Sequence, residues 1–578
     1  MKQLISVLLA AAAVTGCAVS PVETTVPKAP VSDTATTPAA ATPDAIEEQG
    51  EIPPEVMFQL LVADIASQRG QLGIAVANYQ AAAKTTHDPR LAERAARVAI
   101  FAKALKPALE AASLWAELAP ENPDAHRMLG ALLLTQGRVP EAEAQFDAYL
   151  GLSADLPNHG FQQVANQLAR EQNREAAMTV MENLLASRKD DPNAWLAHAW
   201  LAMRQGKLDT ALTSVEKAGA LKPGWRQAVV LRARVMGLQG RKQEAVDYLA
   251  SQLKGELSDD PDVRITYARL LTEVNQLDAA LKEFNALAKE YPDNVEVRYA
   301  AGVLSLQLNK LDAAKTHLQA VLALGQRMLE ANFYLGRVYE LEGDTDQALA
   351  HYLAVRHGEY YINANARAAS LMVDAGRLED ARKLLHSLRV YSDEDRRRLY
   401  LVEGELLRQA GEDQAAFDFF SEKLQELPND TALLYARALV AERLDKLDQA
   451  EQDLRAIIER EPNNAQALNA LGYTLADRTD RYEEALDYIQ RALAMAPEDP
   501  AIIDSMGWVQ YRLGHLEKAR DYLRKALELA KDPEIAAHLG EVLWKMDQRQ
   551  AAIEVWESYL KQFPEHDGLR KVVKRFGL

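Results

Sequence analysis

Alanine stands at Ala75, Ala108, Ala142, Ala177, Ala211, Ala245, Ala280, Ala314, Ala348, Ala381, Ala416, Ala450, Ala485, Ala519 and Ala552, always 33 to 35 residues from the last. Twelve residues before each mark, thirteen in one case, stands a second small residue, from Ala63 and Ala96 through Gly404 and Gly472 to Gly540. A fixed period in this range is the signature of stacked supersecondary units, each unable to bury its apolar face alone. It constrains the fold more than any composition does and points to a binding scaffold before chemistry is considered.

Within one period, Ala465 to Asp499, the residues Leu468, Leu471, Gly472 and Leu475 recur at helical spacing. A polar break at Asp477 to Asp480 follows, then Ala485, Ile489 and Ala492, and Pro497 closes the unit. That is a pair of amphipathic helices joined by a turn. Unit starts carry Pro or an Asn/Asp cluster, as in Glu461-Pro462-Asn463-Asn464, which suits a helix entry and cannot continue the helix before it. Helix axes 8–10 Å apart leave no room for a branched side chain at the crossing, so the two small residues are expected to face one another there. The apolar residue four positions after each mark, such as Tyr79, Phe146, Tyr352 and Trp556, is expected to fill the groove between neighbouring units.

The pattern large, Leu-Gly, large, Ala, aromatic, Ala and Pro resembles the tetratricopeptide repeat. Trp195, Ala199, Ala202, Ala211, Val215, Ala218 and Pro223 match it, as do Leu539-Gly540, Leu543, Ala552, Trp556, Tyr559 and Pro564. The resemblance implies an all-α, right-handed α-solenoid of about fifteen helix-turn-helix units over residues 52–566, with residues 567–578 as a C-terminal capping helix. The boundaries near Leu324-Gly325, Glu359-Tyr360 and Tyr391-Asp395 lack the proline found at the others, so repeat grammar is weaker around 324–396.

Residues 1–16 read as a secretory signal: Met1-Lys2-Gln3, the apolar run Leu4 to Val14, then Val14-Thr15-Gly16-Cys17. The last four match a lipobox, so Cys17, the only cysteine, is the expected site of lipidation. Residues 17–51 then form a tether rich in Pro, Thr and Ala, with Pro21, Pro27, Pro30, Pro38 and Pro43 breaking any helix. Its root-mean-square reach is about 30 Å. Ala18, rather than Asp, after the cysteine implies sorting to the outer membrane, with the solenoid in the periplasm.

A net charge of −18 disfavours nucleic acid and anionic membrane surfaces as partners, leaving the lipid anchor as the membrane contact. The histidines form no i, i+4 zinc pair, and Gly-rich phosphate loops, nucleophile elbows and Cys-x-x-Cys are absent, so neither metal, cofactor nor catalysis is expected. Ser-x-x-Lys at Ser214, Ser251 and Ser558 lacks the companion motifs of a serine acylase.

In tetratricopeptide arrays the first helices line the binding groove, and projecting from each small residue picks out the groove positions. They divide into an Arg-studded stretch, Arg97, Arg170, Trp200, Arg204, Arg234, Arg269 and Arg337, and an aromatic one, Tyr473, Trp508, Tyr511 and Trp544. Arg forks suit carboxylates, and Tyr and Trp anchor protein surfaces. The competing reading has the arginines paired with acids on adjacent helices and the aromatics packed between units. Signal, tether and array together resemble the outer-membrane tetratricopeptide lipoproteins of Gram-negative bacteria. That implies an adaptor bringing peptidoglycan hydrolases to a periplasmic carboxyl-terminal processing protease; the alternative is a docking lipoprotein for secretion, polysaccharide export or outer-membrane protein insertion.

Overall fold

The computed structural model of the chain describes residues 52–153 and 159–578. The signal, Cys17 and the tether lie outside the described residues. Those described form 31 helices and no strand. They run as fifteen antiparallel pairs, from Pro54–Gln68 with Leu72–Thr86 to Pro533–Lys545 with Arg549–Gln562, and the helix Asp567–Arg575 follows. We call the first helix of each pair the A helix and the second the B helix. Contacts group the chain into two units, Met1–Ala320 and Val321–Leu578, and each is an α-solenoid of such pairs.

The small-residue ladder is the core of both units. All fifteen marked alanines have no solvent exposure, and the apolar residue four positions later is at most 3% exposed in every repeat. At the crossing the A-helix small residue faces the marked alanine, as expected, and also meets the B-helix knob. A Cβ placed on Gly130 would lie 3.2 Å from the Phe146 ring, and on Gly336 it would lie 2.6 Å from Tyr352. The small A-helix residue therefore accepts the large B-helix knob of its own repeat, and the marked alanine lets the B-helix backbone approach. The Ala485 carbonyl oxygen, for example, would lie 3.0 Å from such a Cβ on Gly472. The knob thus fills the seam inside its own repeat, and some knobs also reach the next element, as Trp556 does in stacking on Phe576. Ala348, fully buried with Phe333 and Tyr352, tests this geometry. Ala348→Leu should overpack the seam and cost about 1–3 kcal/mol by urea denaturation; an unchanged midpoint would count against it.

Helix entry follows local chemistry. Asp88, Asn122, Asp191 and Asp532 accept hydrogen bonds from the backbone two residues on, and the next residue is the proline that opens the helix. In most repeats the A-to-B turn passes through one left-handed residue: Gly514 supplies it at φ +85°, and Asn275 at φ +60°. Where the grammar weakens, so do the caps. The helices Met328–Glu342 and Tyr361–Asp374 begin without a side-chain cap, although Ser392 caps Asp393–Gln409. The segment between Leu353 and Tyr361 is held by rings instead, with Tyr360 stacked 4.5 Å from Phe333. The final helix buries Leu569 and Val573 and leaves Arg570, Lys571 and Lys574 exposed, a polar cap on the last repeat.

Candidate protein-binding surfaces

Residues that directly follow the small A-helix position emerge on one face of each unit, because each lies one helical step from the buried seam. In the N-terminal unit this face carries the arginines. Arg97 is not free: Glu93, one turn earlier on the same helix, holds it at 2.7 Å. Arg170 is exposed. Arg204 lies over the half-buried Trp200 ring, 5.8 Å from its centroid, so these two form a cation–π pair within one helix.

Arg234 and Arg269 differ from these. They stand on successive A helices, Arg226–Leu238 and Pro261–Glu273. The Arg234 side chain stays open to solvent, yet the surrounding helices crowd it and the charge of Arg269 bears on it, and both effects hold its pKa below the usual guanidinium value. Arg269 has Glu296 only at 3.9 Å. Two like charges thus adjoin on one face, with Asp262 as the acid that partly offsets them. Guanidinium forks so placed can take carboxylates. By contrast Arg264, on the same A helix as Arg269, is internal: buried, it bridges Glu283 at 2.5 Å and Glu290 at 2.6 Å.

The C-terminal unit holds Arg337 and the aromatic residues. Arg337 is half-buried near the buried Tyr352 hydroxyl. Trp508 is only 6% exposed: its indole N–H donates to Asp477 at 3.1 Å, and its ring stacks 4.3 Å from His538. His538 Nδ1 lies 3.0 Å from both oxygens of the buried Asp504, and the Tyr473 ring sits 6.2 Å away on a tilted approach. Burial and nearby Asp477 and Asp504 push the Tyr473 hydroxyl well above its ordinary pKa. Tyr511 packs 5.1 Å from Trp508 and donates to Glu541 at 3.3 Å. Trp544 stacks on Trp556 at 5.9 Å and meets Phe576 at 5.3 Å on a tilted approach.

The aromatic positions are therefore brought together as a wall joining three consecutive A helices and the cap, with Tyr473, Tyr511 and Trp544 half-buried on its surface. Asp504, His538 and Asp477 complete that wall and were not among the sequence-derived positions. Their signal was available in the spacing: Asp477 and Trp508 are 31 residues apart, and Asp504 and His538 are 34 apart, about one repeat in each case.

Ser214 Oγ lies 2.8 Å from His198 Nδ1, but Ser214 is 2% exposed and bonds to the Thr210 carbonyl, and burial holds the His198 pKa down. Among the described residues no three His, Cys, Asp or Glu side chains gather to hold a metal ion, and no helix is long and apolar enough to cross a membrane.

Family models described as tetratricopeptide repeat match residues 60–157, 165–224, 305–360, 367–431 and 435–500, with further matches at 238–304, 474–544 and 538–566. A TPR repeat-containing protein of Pseudomonas aeruginosa is 36% identical over 94% of this chain and 91% of its own length. Bacteriophage adsorption protein A of Escherichia coli is 30% identical over 20% of this chain and 12% of its own. A mitochondrial import receptor subunit of Rattus norvegicus is 28% identical over 25% and 23%. Among solved structures, a thermophilic TPR protein of Thermus thermophilus covers 31% of this chain and 98% of its own at 27% identity, with a TM-score of 0.29. The Cut9–Hcn1 hetero-tetramer of the APC/C covers 84% and 96% at 15% identity, with a TM-score of 0.30.

Proposed function

This chain belongs to the tetratricopeptide-repeat family, and from that premise we propose that it is a non-catalytic scaffold anchored through Cys17 to the outer membrane, with its repeats in the periplasm. Arrays of this family bind other proteins. The observation that carries the reading is the Arg234–Arg269 pair, two guanidinium groups on successive A helices, the charge of one bearing on the other, on an otherwise acidic protein. An acidic segment of a partner relieves their repulsion and gains forked hydrogen bonds. The C-terminal aromatic wall supplies a chemically different surface, so one chain offers sites to two proteins at once. Holding both raises the effective concentration of one toward the other. The role this fits best is an adaptor that presents peptidoglycan hydrolases to a carboxyl-terminal processing protease.

The test is reconstitution: the purified, catalytically inert chain should accelerate the protease's cleavage of a hydrolase, and affinity capture from envelopes through the anchored protein should recover both. Capture of a channel or export complex in their place would replace the adaptor with an assembly role. Arg234→Glu with Arg269→Glu should weaken the acidic partner at least about tenfold, because like charges then face one another. The wild-type affinity should also fall as salt is raised, and the melting curve of the variant should stay in place. Retained affinity in the folded variant would remove this subsite.

A further inference from the structure

The first A helix exposes side chains at two register positions that most later repeats bury and none leaves exposed. Its register position five residues before the small residue is Phe58, and two residues after it is Ile65; they are 66% and 48% exposed. In later repeats the same two positions are Leu433 and Val440 at 0% and 2%, or Ile502 and Val509 at 3% and 0%. There the preceding repeat covers them. Leu61 lies between Phe58 and Ile65 on the first helix and is 55% exposed, with Met57 beside the stripe. A terminal repeat normally ends in a polar face, as the last helix does with Arg570, Lys571 and Lys574. This end does not.

We propose that this stripe is the seam of a symmetric dimer of two copies of the chain. Phe58, Leu61 and Ile65 follow one another at spacings of three and four, the seam spacing of two helices packed along their length. An antiparallel pairing about a two-fold axis sets Phe58 of one copy against Ile65 of the other and brings the two Leu61 residues together at the axis. The same register sets Glu55 against Arg69 of the other copy, twice. Both are exposed, both flank the stripe on one side, and residues on one side of an antiparallel seam meet each other. The charges are thus complementary in the register that the apolar residues choose. A head-to-tail contact lacks this match, since the far end of the array is basic and polar; the self-complementary contact closes at two copies.

Sedimentation equilibrium of the full chain in density-matched mild detergent, over about 1–100 µM, tests this. A dimer is expected, weakened at least about 30-fold by Phe58→Glu with Ile65→Glu at unchanged helix content. Glu55→Arg alone should weaken it, and adding Arg69→Glu should restore it. A chain monomeric throughout that range, whatever else covers the stripe, overturns the proposal. So does a dimer whose affinity ignores the Phe58 and Ile65 changes, or one that the charge swap fails to restore.

Discussion

Replacing Gly540 with alanine should destabilise the C-terminal unit by about 2 kcal/mol or more, although alanine is the better helix former by about 1 kcal/mol. Gly540 lies inside the helix Pro533–Lys545, and a methyl group there would fall within the indole of Trp556. That indole cannot yield easily. It is fully buried, stacked 5.2 Å from Phe576 and 5.9 Å from Trp544, and its N–H points to the Ala537 carbonyl at 3.4 Å. Gly219 provides the control: it lies in the helix Leu208–Leu221, and a methyl group there meets nothing within 4 Å. Gly219→Ala should therefore raise stability by roughly 0.5–1 kcal/mol. Urea melts followed at each unit separate the two, because repeat arrays need not unfold as one step. Two glycine-to-alanine changes of the same sign would show that the seam has slack and that the small-residue ladder is propensity alone.

The ladder was legible because backbone approach is a demand every repeat makes in the same register, so its marks survive averaging over fifteen copies. What each mark faces was less legible. A period locates a helix face, while the partner of a side chain on that face depends on one particular residue in the next repeat. Trp508 shows the difference: its register places it on the A-helix face, but His538 and Asp477, each from a neighbouring repeat, decide that it is a buried wall. Arg97 was readable from Glu93 one turn away. Pairs one period apart form a second code that single-helix projection passes over, including Arg443 with Asp413, Lys310 with Asp278 and Arg478 with Asp445. Arg234 and Arg269 stand out against that code, being two bases where a base and an acid would close the surface.

The C-terminal wall turns on the charge of His538, and removing Asp504 should make stability depend on pH in a defined direction. Burial by itself would discharge the imidazole. The Asp504 carboxylate reverses this by charge and hydrogen bond, and Glu534 on the same helix and Asp477 from Ala465–Arg478 act in the same sense, so the His538 pKa stands above its ordinary value. A raised pKa in the folded state means that the pair's contribution is fully present below the unfolded value near 6.5 and is lost as pH rises through the folded value. Asp504→Ala should therefore cost about 3 kcal/mol at acid pH, where a buried imidazolium loses its counter-ion. In alkali a neutral imidazole loses only a hydrogen bond of roughly 1 kcal/mol. The gap between wild type and variant should narrow as pH rises above about 6.5. Trp508, stacked on His538, gives an emission signal for that region of the unit. A gap that is constant with pH would mean that His538 is neutral in the folded protein and that the Asp504 contact is a hydrogen bond alone.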